Sequence, residues 1–246
     1  ALTCGMRKRS SSAARVWLLL AVPGLVWGAS FLFIAEALES IGPSGVAFVR
    51  ILLGFATLAC FPAARRPIGA GDSGRIALLG VLWMAFPLSM FPFAEQRVSS
   101  AVTGMLNGAI PLFTAVVASV LARRFPPRQV AIGLGVGMLG AAMVAAPSLN
   151  RGGSSAVGVL LILAAIVSYG FAMNVARPLQ LRHGSLAVIW RALAVALLLT
   201  APLGVPDLMR AQWTPVPLLS LLALGTLGTG VAYVVAATAA GAVAGA

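Results

Sequence analysis

The stretch VGVLLILAAIVSYGFAMNVA, residues 157–176, contains no charged side chain. A helix of about 20 mostly apolar residues, rising 1.5 Å per residue, spans the roughly 30 Å hydrocarbon core of a bilayer. Outward from this segment the pattern recurs. Apolar runs cover 16–37, 43–62, 76–94, 98–121, 130–147, 157–176, 185–205 and 217–238. Short breaks with turn chemistry part them: Gly42-Pro43, Arg65-Arg66-Pro67, Pro126-Pro127, Asn150-Arg151-Gly152-Gly153, His183-Gly184 and Pro206-Asp207. The reading is an all-α polytopic membrane protein with eight predicted transmembrane helices. Continuous rather than alternating apolar runs exclude a β-barrel.

Composition agrees with this class. Sixty per cent of the 246 residues are hydrophobic, 9% are charged, and the mean hydropathy is +1.01. A soluble domain carries about 25% charged residues. Met6 is the more natural start of the chain. The basic Arg7-Lys8-Arg9 before an apolar run has the look of a signal peptide, but that run continues to Leu38, too long for an h-region. Residues 1–15 are therefore read as a cytoplasmic tail and 16–37 as the first span.

The 17 Lys and Arg against 5 Asp and Glu do not indicate nucleic-acid binding, because the cations come in small clusters between apolar runs. With the N-terminus inside, twelve fall on the inner side: Arg7, Lys8, Arg9, Arg15, Arg65, Arg66, Arg75, Arg123, Arg124, Arg128, Arg177 and Arg182. Arg97, Arg151 and Arg210 fall outside, and Arg50 and Arg191 lie within spans. That bias is the positive-inside rule, and it predicts a multi-pass protein of the plasma membrane with a cytoplasmic N-terminus. Cys4, Cys60 and His183 lack metal-ligand or Cys/His spacing. No metal, cofactor or catalytic residue is expected, and no P-loop for ATP is present.

The chain also resembles itself. Trp27-Gly28 in the first span recurs as Tyr169-Gly170 in the sixth, Arg50 in the second as Arg191 in the seventh, and Leu79-Gly80 in the third as Leu224-Gly225 in the eighth. The offset is nearly constant and equals five spans. A five-helix repeat reverses its orientation in the second copy, giving the inverted-topology architecture of many secondary transporters. The first repeat is assigned to 16–147 and the second to 157–246. The second holds three helices, so the chain ends where a ninth helix is expected to begin.

Trp27-Gly28-x-x-Phe31, Arg50, Asn107-Gly108-x-x-Pro111 and Gly133-x-Gly135-x-Gly137-x-x-Gly140 resemble the drug/metabolite transporter superfamily in its EamA-type branch. The resemblance covers 16–240. It implies a ten-helix fold with both termini cytoplasmic and export or exchange of small polar or amphipathic metabolites.

The candidate substrate-binding residues are Trp27, Ser30, Asn107, Pro111 and Tyr169. Trp27 and Tyr169 are repeat-related and sit near mid-span, and Pro111 lacks an N–H one turn beyond Asn107. Asn174, Ser89, Phe86 and Tyr233 are further polar or aromatic mid-span residues. Arg50, Arg191 and Glu36 are candidate intramembrane charges. Arg50 either attracts an anionic substrate group or pairs with Glu36, or both arginines brace loops. Glu36 is either a proton-carrying carboxyl or an exposed acid at a helix end. A charge at bilayer depth costs a few kcal/mol and faces protein or water. The expected function is secondary transport of small metabolites or drugs by alternating access. The alternatives are a truncated transporter fragment and a permease subunit powered by a separate ATPase. Expected partners are a small-molecule substrate and the lipid bilayer, with a homodimer left open. A reporter fused after Arg182 is expected to read cytoplasmic and one inserted near Arg151 external; the reverse pair would overturn the topology.

Overall fold

The computed structural model describes residues 2–150 and 153–244, and among these the fold is helical with no strand. The helices are α1 (Leu2–Ala37), α2 (Pro43–Ala59), α3 (Ser73–Glu95), α4 (Ser100–Ala122), α5 (Arg128–Asn150), α6 (Gly153–His183) and α7 (Ser185–Met209). The last, α8, runs Pro215–Gly225, passes a π turn at Thr226–Val231 and continues as Ala232–Ala244. Among the described residues six helices, α3 to α8, contain stretches long and apolar enough to cross a membrane, while α2 is shorter. The chain is a multi-pass membrane protein. Arg151 lies outside the described residues, as do the side chains of Arg7, Lys8, Arg9 and Arg15.

Proline explains the deformations of α3 and α4, but not the π turn of α8, which has no proline beside it. Pro87 offers no N–H, and α3 carries a π turn at Gly80–Ala85 just before it, in which the Phe86 N–H reaches back five residues to the Val81 carbonyl. In α8 the Ala232 N–H likewise reaches Leu227. In α4 the helix breaks between Asn107 and Ile110. Pro111 supplies no donor to the Asn107 carbonyl, so the break falls where the sequence places its helix-bending residue.

Packing fixes the helix directions. The α2 and α7 helices lie antiparallel along each other. At one end the Gly45 N–H donates to Asp207 Oδ2 at 3.1 Å, and toward the other end Arg191 Nη1 donates to the Ala64 carbonyl at 3.4 Å. Between them Phe55 and Trp190 stack at 5.0 Å and 9°. The carboxylate of Asp207 supplies the cap that Gly42 lacks and complements the positive end of the α2 dipole. Just beyond α1, Ser40 accepts from the Gln212 N–H at 3.0 Å just before α8. Early in α6, Gly158 lies against Ala94 and Arg97 at the end of α3. Thus α1, α3 and α7 end on the face where α2, α6 and α8 begin, and α1 and α6 run in opposite directions.

Lipid tails are as apolar as leucine, so close packing and interhelical hydrogen bonds hold such a bundle. Gly170 shows this: a Cβ there would lie 3.1 Å from the Phe113 carbonyl oxygen of α4. Its sequence counterpart Gly28 has nothing within 4 Å. The α5 helix is bare along almost its whole length. The sequence reads Gly133-x-x-x-Gly137 as a close-approach face; Gly137 does meet Leu112, but Gly133 meets nothing within 4 Å.

An ion cluster ties the segment before α3 to the end of α6. Asp72 accepts from His183 Nε2 at 2.8 Å and pairs with Arg182 at 3.5 Å and Arg75 at 3.6 Å. The His183 hydrogen bond, and then the Arg182 charge, hold the Asp72 carboxyl below its usual range. A depressed folded-state value means this stabilisation is present above the ordinary carboxyl value of about 3.9 and is lost as pH falls through the lower folded value. The thermal midpoint of Asp72→Asn in detergent is therefore expected to lie below that of the parent at neutral pH. The gap should shrink as the pH drops below about 4; a gap that is flat across that range would remove the ionic contribution.

Candidate functional site

The two π turns and the broken α4 converge on one cavity of about 100 Å³, room for several waters by volume. Its wall brings together Trp27, Ser30, Phe31, Arg50, Trp83, Leu88, Phe91, Asn107, Ile110, Tyr169, Met173 and Tyr233. The contributors are α1, α2, α3, α4, α6 and α8.

Each side chain is held from behind. Trp27 Nε1 donates to the Gly228 carbonyl of the α8 π turn at 3.0 Å, and its ring meets Tyr233 edge-on at 5.7 Å. Tyr233 meets Trp83 in turn at 5.8 Å. On the other side Phe91 packs between Phe31 at 5.5 Å and Tyr169 at 6.1 Å. Ser30 turns its hydroxyl to the Val26 carbonyl of its own helix at 2.9 Å. The result is an aromatic box, and edge-to-face pairs of this kind add roughly 0.5–1.5 kcal/mol each beyond burial.

Arg50 is the charge in this box. It is 7% exposed, and its Nε donates to Thr229 Oγ1 in the α8 π turn at 3.0 Å. Among the described residues no carboxylate lies within ion-pair distance of it. The guanidinium therefore borders the cavity without an anionic partner. Five N–H donors in a planar fork match a carboxylate bidentately.

The remaining sequence candidates separate from this group. Of the five residues singled out for substrate, the structure brings Trp27, Ser30, Asn107 and Tyr169 to the cavity wall; Pro111 lies in α4 beyond the break and off the wall. Arg191 donates to the Ala187 and Ala64 carbonyls, so it braces the chain beyond α2. Glu36 is half-buried in the last turn of α1 and does not line the cavity. Asn174 ties α6 to α4 through the Thr114 carbonyl at 3.1 Å. Phe86 and Ser89 line a separate groove with Leu199 and Thr200. The sequence reading did not select Trp83, Leu88, Phe91 or Met173, and it named Tyr233 without assigning it to the site. Trp83 lies three residues past the repeated Gly80 landmark, a signal that could have drawn attention to it, whereas Tyr233 lies eight residues past Gly225 and carries no such signal. Glu95, which was not among the sequence candidates, closes α3 with both carboxyl oxygens buried.

A model of the EamA-like transporter family matches residues 15–146. The chain is 27% identical over 194 residues to a protein of Streptantibioticus cattleyicolor named "Probable terminal-alkyne amino-acid exporter". That match covers 76% of this chain and 63% of the relative, so the chain spans less than two thirds of the relative's length. No solved structure matches the chain.

Replacing Trp27 by Phe keeps an aromatic side chain, though a smaller one, and removes the donor to Gly228. An interhelical hydrogen bond in a membrane is worth about 0.6–2 kcal/mol, so Trp27→Phe is expected to lower the unfolding free energy by about that amount. Equilibrium unfolding in mixed micelles measures it, and an unchanged value would mean the bond carries no net stability.

Proposed function

From the premise that this chain belongs to the EamA-like transporter family, we propose that it exports small amino acids bearing compact apolar side chains. Arg50 would receive the substrate carboxylate and the aromatic box its apolar part. One observation carries this reading: a buried guanidinium borders an aromatic cavity and has no carboxylate partner. A charge kept at such depth faces protein, carbonyls or water and marks a substrate path by default. The cavity is mostly apolar with a few placed polar groups, as small-molecule sites are. The name of the Streptantibioticus relative points to the same substrate chemistry.

Transport by alternating access between inverted halves is part of the proposal. Its support is reciprocal. Trp27 of α1 donates into the π turn of α8 at Gly228, and Ser168 of α6 donates into the π turn of α3 at Leu82. The two donors lie on helices that run oppositely, and the two acceptors occupy matching π turns. A charge bias of this kind favours the N-terminus inside. The activity is transport rather than catalysis, and the membrane is the plasma membrane.

The test uses the full chain in proteoliposomes preloaded with L-propargylglycine, a terminal-alkyne amino acid. Efflux is read by coupling the released alkyne to a fluorescent azide. A hydrogen bond to a charged group is worth about 1.5–3 kcal/mol, so Arg50→Gln is expected to weaken substrate binding roughly ten- to a hundredfold. Arg50→Lys should retain part of it, and propargylglycinamide should not be carried. Equal efflux of acid and amide, or an unaffected Arg50→Gln, would overturn the reading.

A further inference from the structure

Glu95 is the group that the cavity leaves unexplained. On α3, Leu88 and Phe91 line the cavity wall. Glu95 continues the same stripe, at i+7 from Leu88 and i+4 from Phe91, which is one helical face. Both of its carboxyl oxygens are buried and without a hydrogen-bond partner among the described residues. A buried polar group without a partner calls for explanation, and a charged one is costly enough that the group changes its protonation or finds a counter-charge.

The surroundings narrow the choice. Among the described residues, Arg50 on α2 is the charge that acts on Glu95 electrostatically. Yet the two form no ion pair within 4.0 Å, because Arg50 is turned to Thr229 of α8. Arg97 turns its Nη1 back to the Phe93 carbonyl at 2.6 Å. From Gly153 to Ser168 of α6, and from Ser100 to Asn107 of α4, the facing helices carry no titratable side chain. Glu36 on α1 is not among the groups that act on Glu95. Two opposite charges thus sit within one bundle, each without an ion-pair partner among the described residues, and both depend on the orientation of a single guanidinium.

We propose that Glu95 is the proton-binding site of this transporter, and that it shares Arg50 with the substrate. This deepens the reading in which Arg50 receives a carboxylate and rests on it. With the cavity empty, Arg50 is the counter-charge available to ionised Glu95. A substrate carboxylate that engages Arg50 removes that counter-charge, and a proton from water then bonds to a Glu95 carboxyl oxygen. One carboxylate and one proton are taken up together, so Arg50 keeps an anionic partner while Glu95 becomes neutral; the ammonium of the amino acid then leaves the occupied site one positive charge above the empty one. Binding linkage is reciprocal: protonation of Glu95 frees Arg50 and tightens the carboxylate, and ionisation weakens it.

The first arm of the test needs no substrate. Infrared difference spectra across a pH titration of the purified full chain should show the C=O band of a protonated carboxyl. That band should be lost in Glu95→Gln and kept in Glu36→Gln. A band that survives Glu95→Gln, or disappears with Glu36→Gln, overturns the assignment of the proton to Glu95. The second arm adds L-propargylglycine to weakly buffered protein and records proton uptake. The parent should take up about one proton per bound ligand, and Glu95→Gln should bind the ligand with uptake lost. Equal uptake by both proteins overturns the proposal. If the Glu95 band is present but ligand binding is indifferent to Arg50→Gln, the proton site stands, and the carboxylate reading and its coupling fall. Glu95→Asp, which keeps the titratable group, separates loss of the proton site from loss of the fold: it should retain the band.

Discussion

The structure depends on a requirement of the bilayer interior: a backbone carbonyl released from its helical partner must find another donor within the protein. Leu82 is such a case. The α-helical donor for its carbonyl, the Phe86 N–H, goes to Val81 instead, and the next residue, Pro87, has no N–H. Ser168 of α6 supplies the bond at 2.7 Å. In α8 the Ala232 N–H goes to Leu227, and the Gly228 carbonyl receives Trp27 of α1 at 3.0 Å. Each defect in one helix is completed by a side chain from another far away in sequence. The bundle is thereby stitched across its centre, where the cavity lies, and the defects and the cavity cannot be separated.

The same turns decide which residues share a face. A regular helix repeats every 3.6 residues, so residues five apart point about 140° from each other. Through a π turn they come back into line. Trp83 and Leu88 both border the cavity, and Gly228 and Tyr233 both meet Trp27. This is why sequence periodicity finds half of the aromatic box. Trp27 and Tyr169 are legible because the repeat offset matches them and they lie in unbroken helix. Trp83 and Tyr233 follow a π turn's spacing, which no 3.6-residue pattern reveals. Pro111 is a true marker of the α4 break, but the break, rather than the proline ring, reaches the wall.

Hydropathy places the apolar centres of the membrane-length helices α3 to α8, because insertion depends on length and apolarity, but it misses how far some ends extend: α6 runs seven residues beyond its apolar stretch, to His183. It places the charges less well. Arg191 and Arg50 look equivalent in sequence, and the structure parts them by their partners: backbone carbonyls for Arg191, a threonine and an open cavity for Arg50. Glu95 falls one residue past the apolar run 76–94, so by sequence it is an acid at a helix end. Its burial comes from the packing of α2 and α6 against the end of α3, contacts between segments tens of residues away that local sequence does not encode.

The near-bare surface of α5 has a consequence of its own. A helix that shares little surface with its neighbours is not held at a fixed angle by them, so the membrane sets its tilt. In a thin bilayer its 23 residues lean further over, and in a thick one they stand up, at a cost of fractions of a kcal/mol per Å of mismatch. The turn at Phe125–Pro127 and the cations beside it, Arg123, Arg124 and Arg128, ride on this motion. The helices around the cavity share far more surface with one another and do not follow it. The bundle therefore pairs closely packed central helices with one outer helix that follows the thickness of its host membrane.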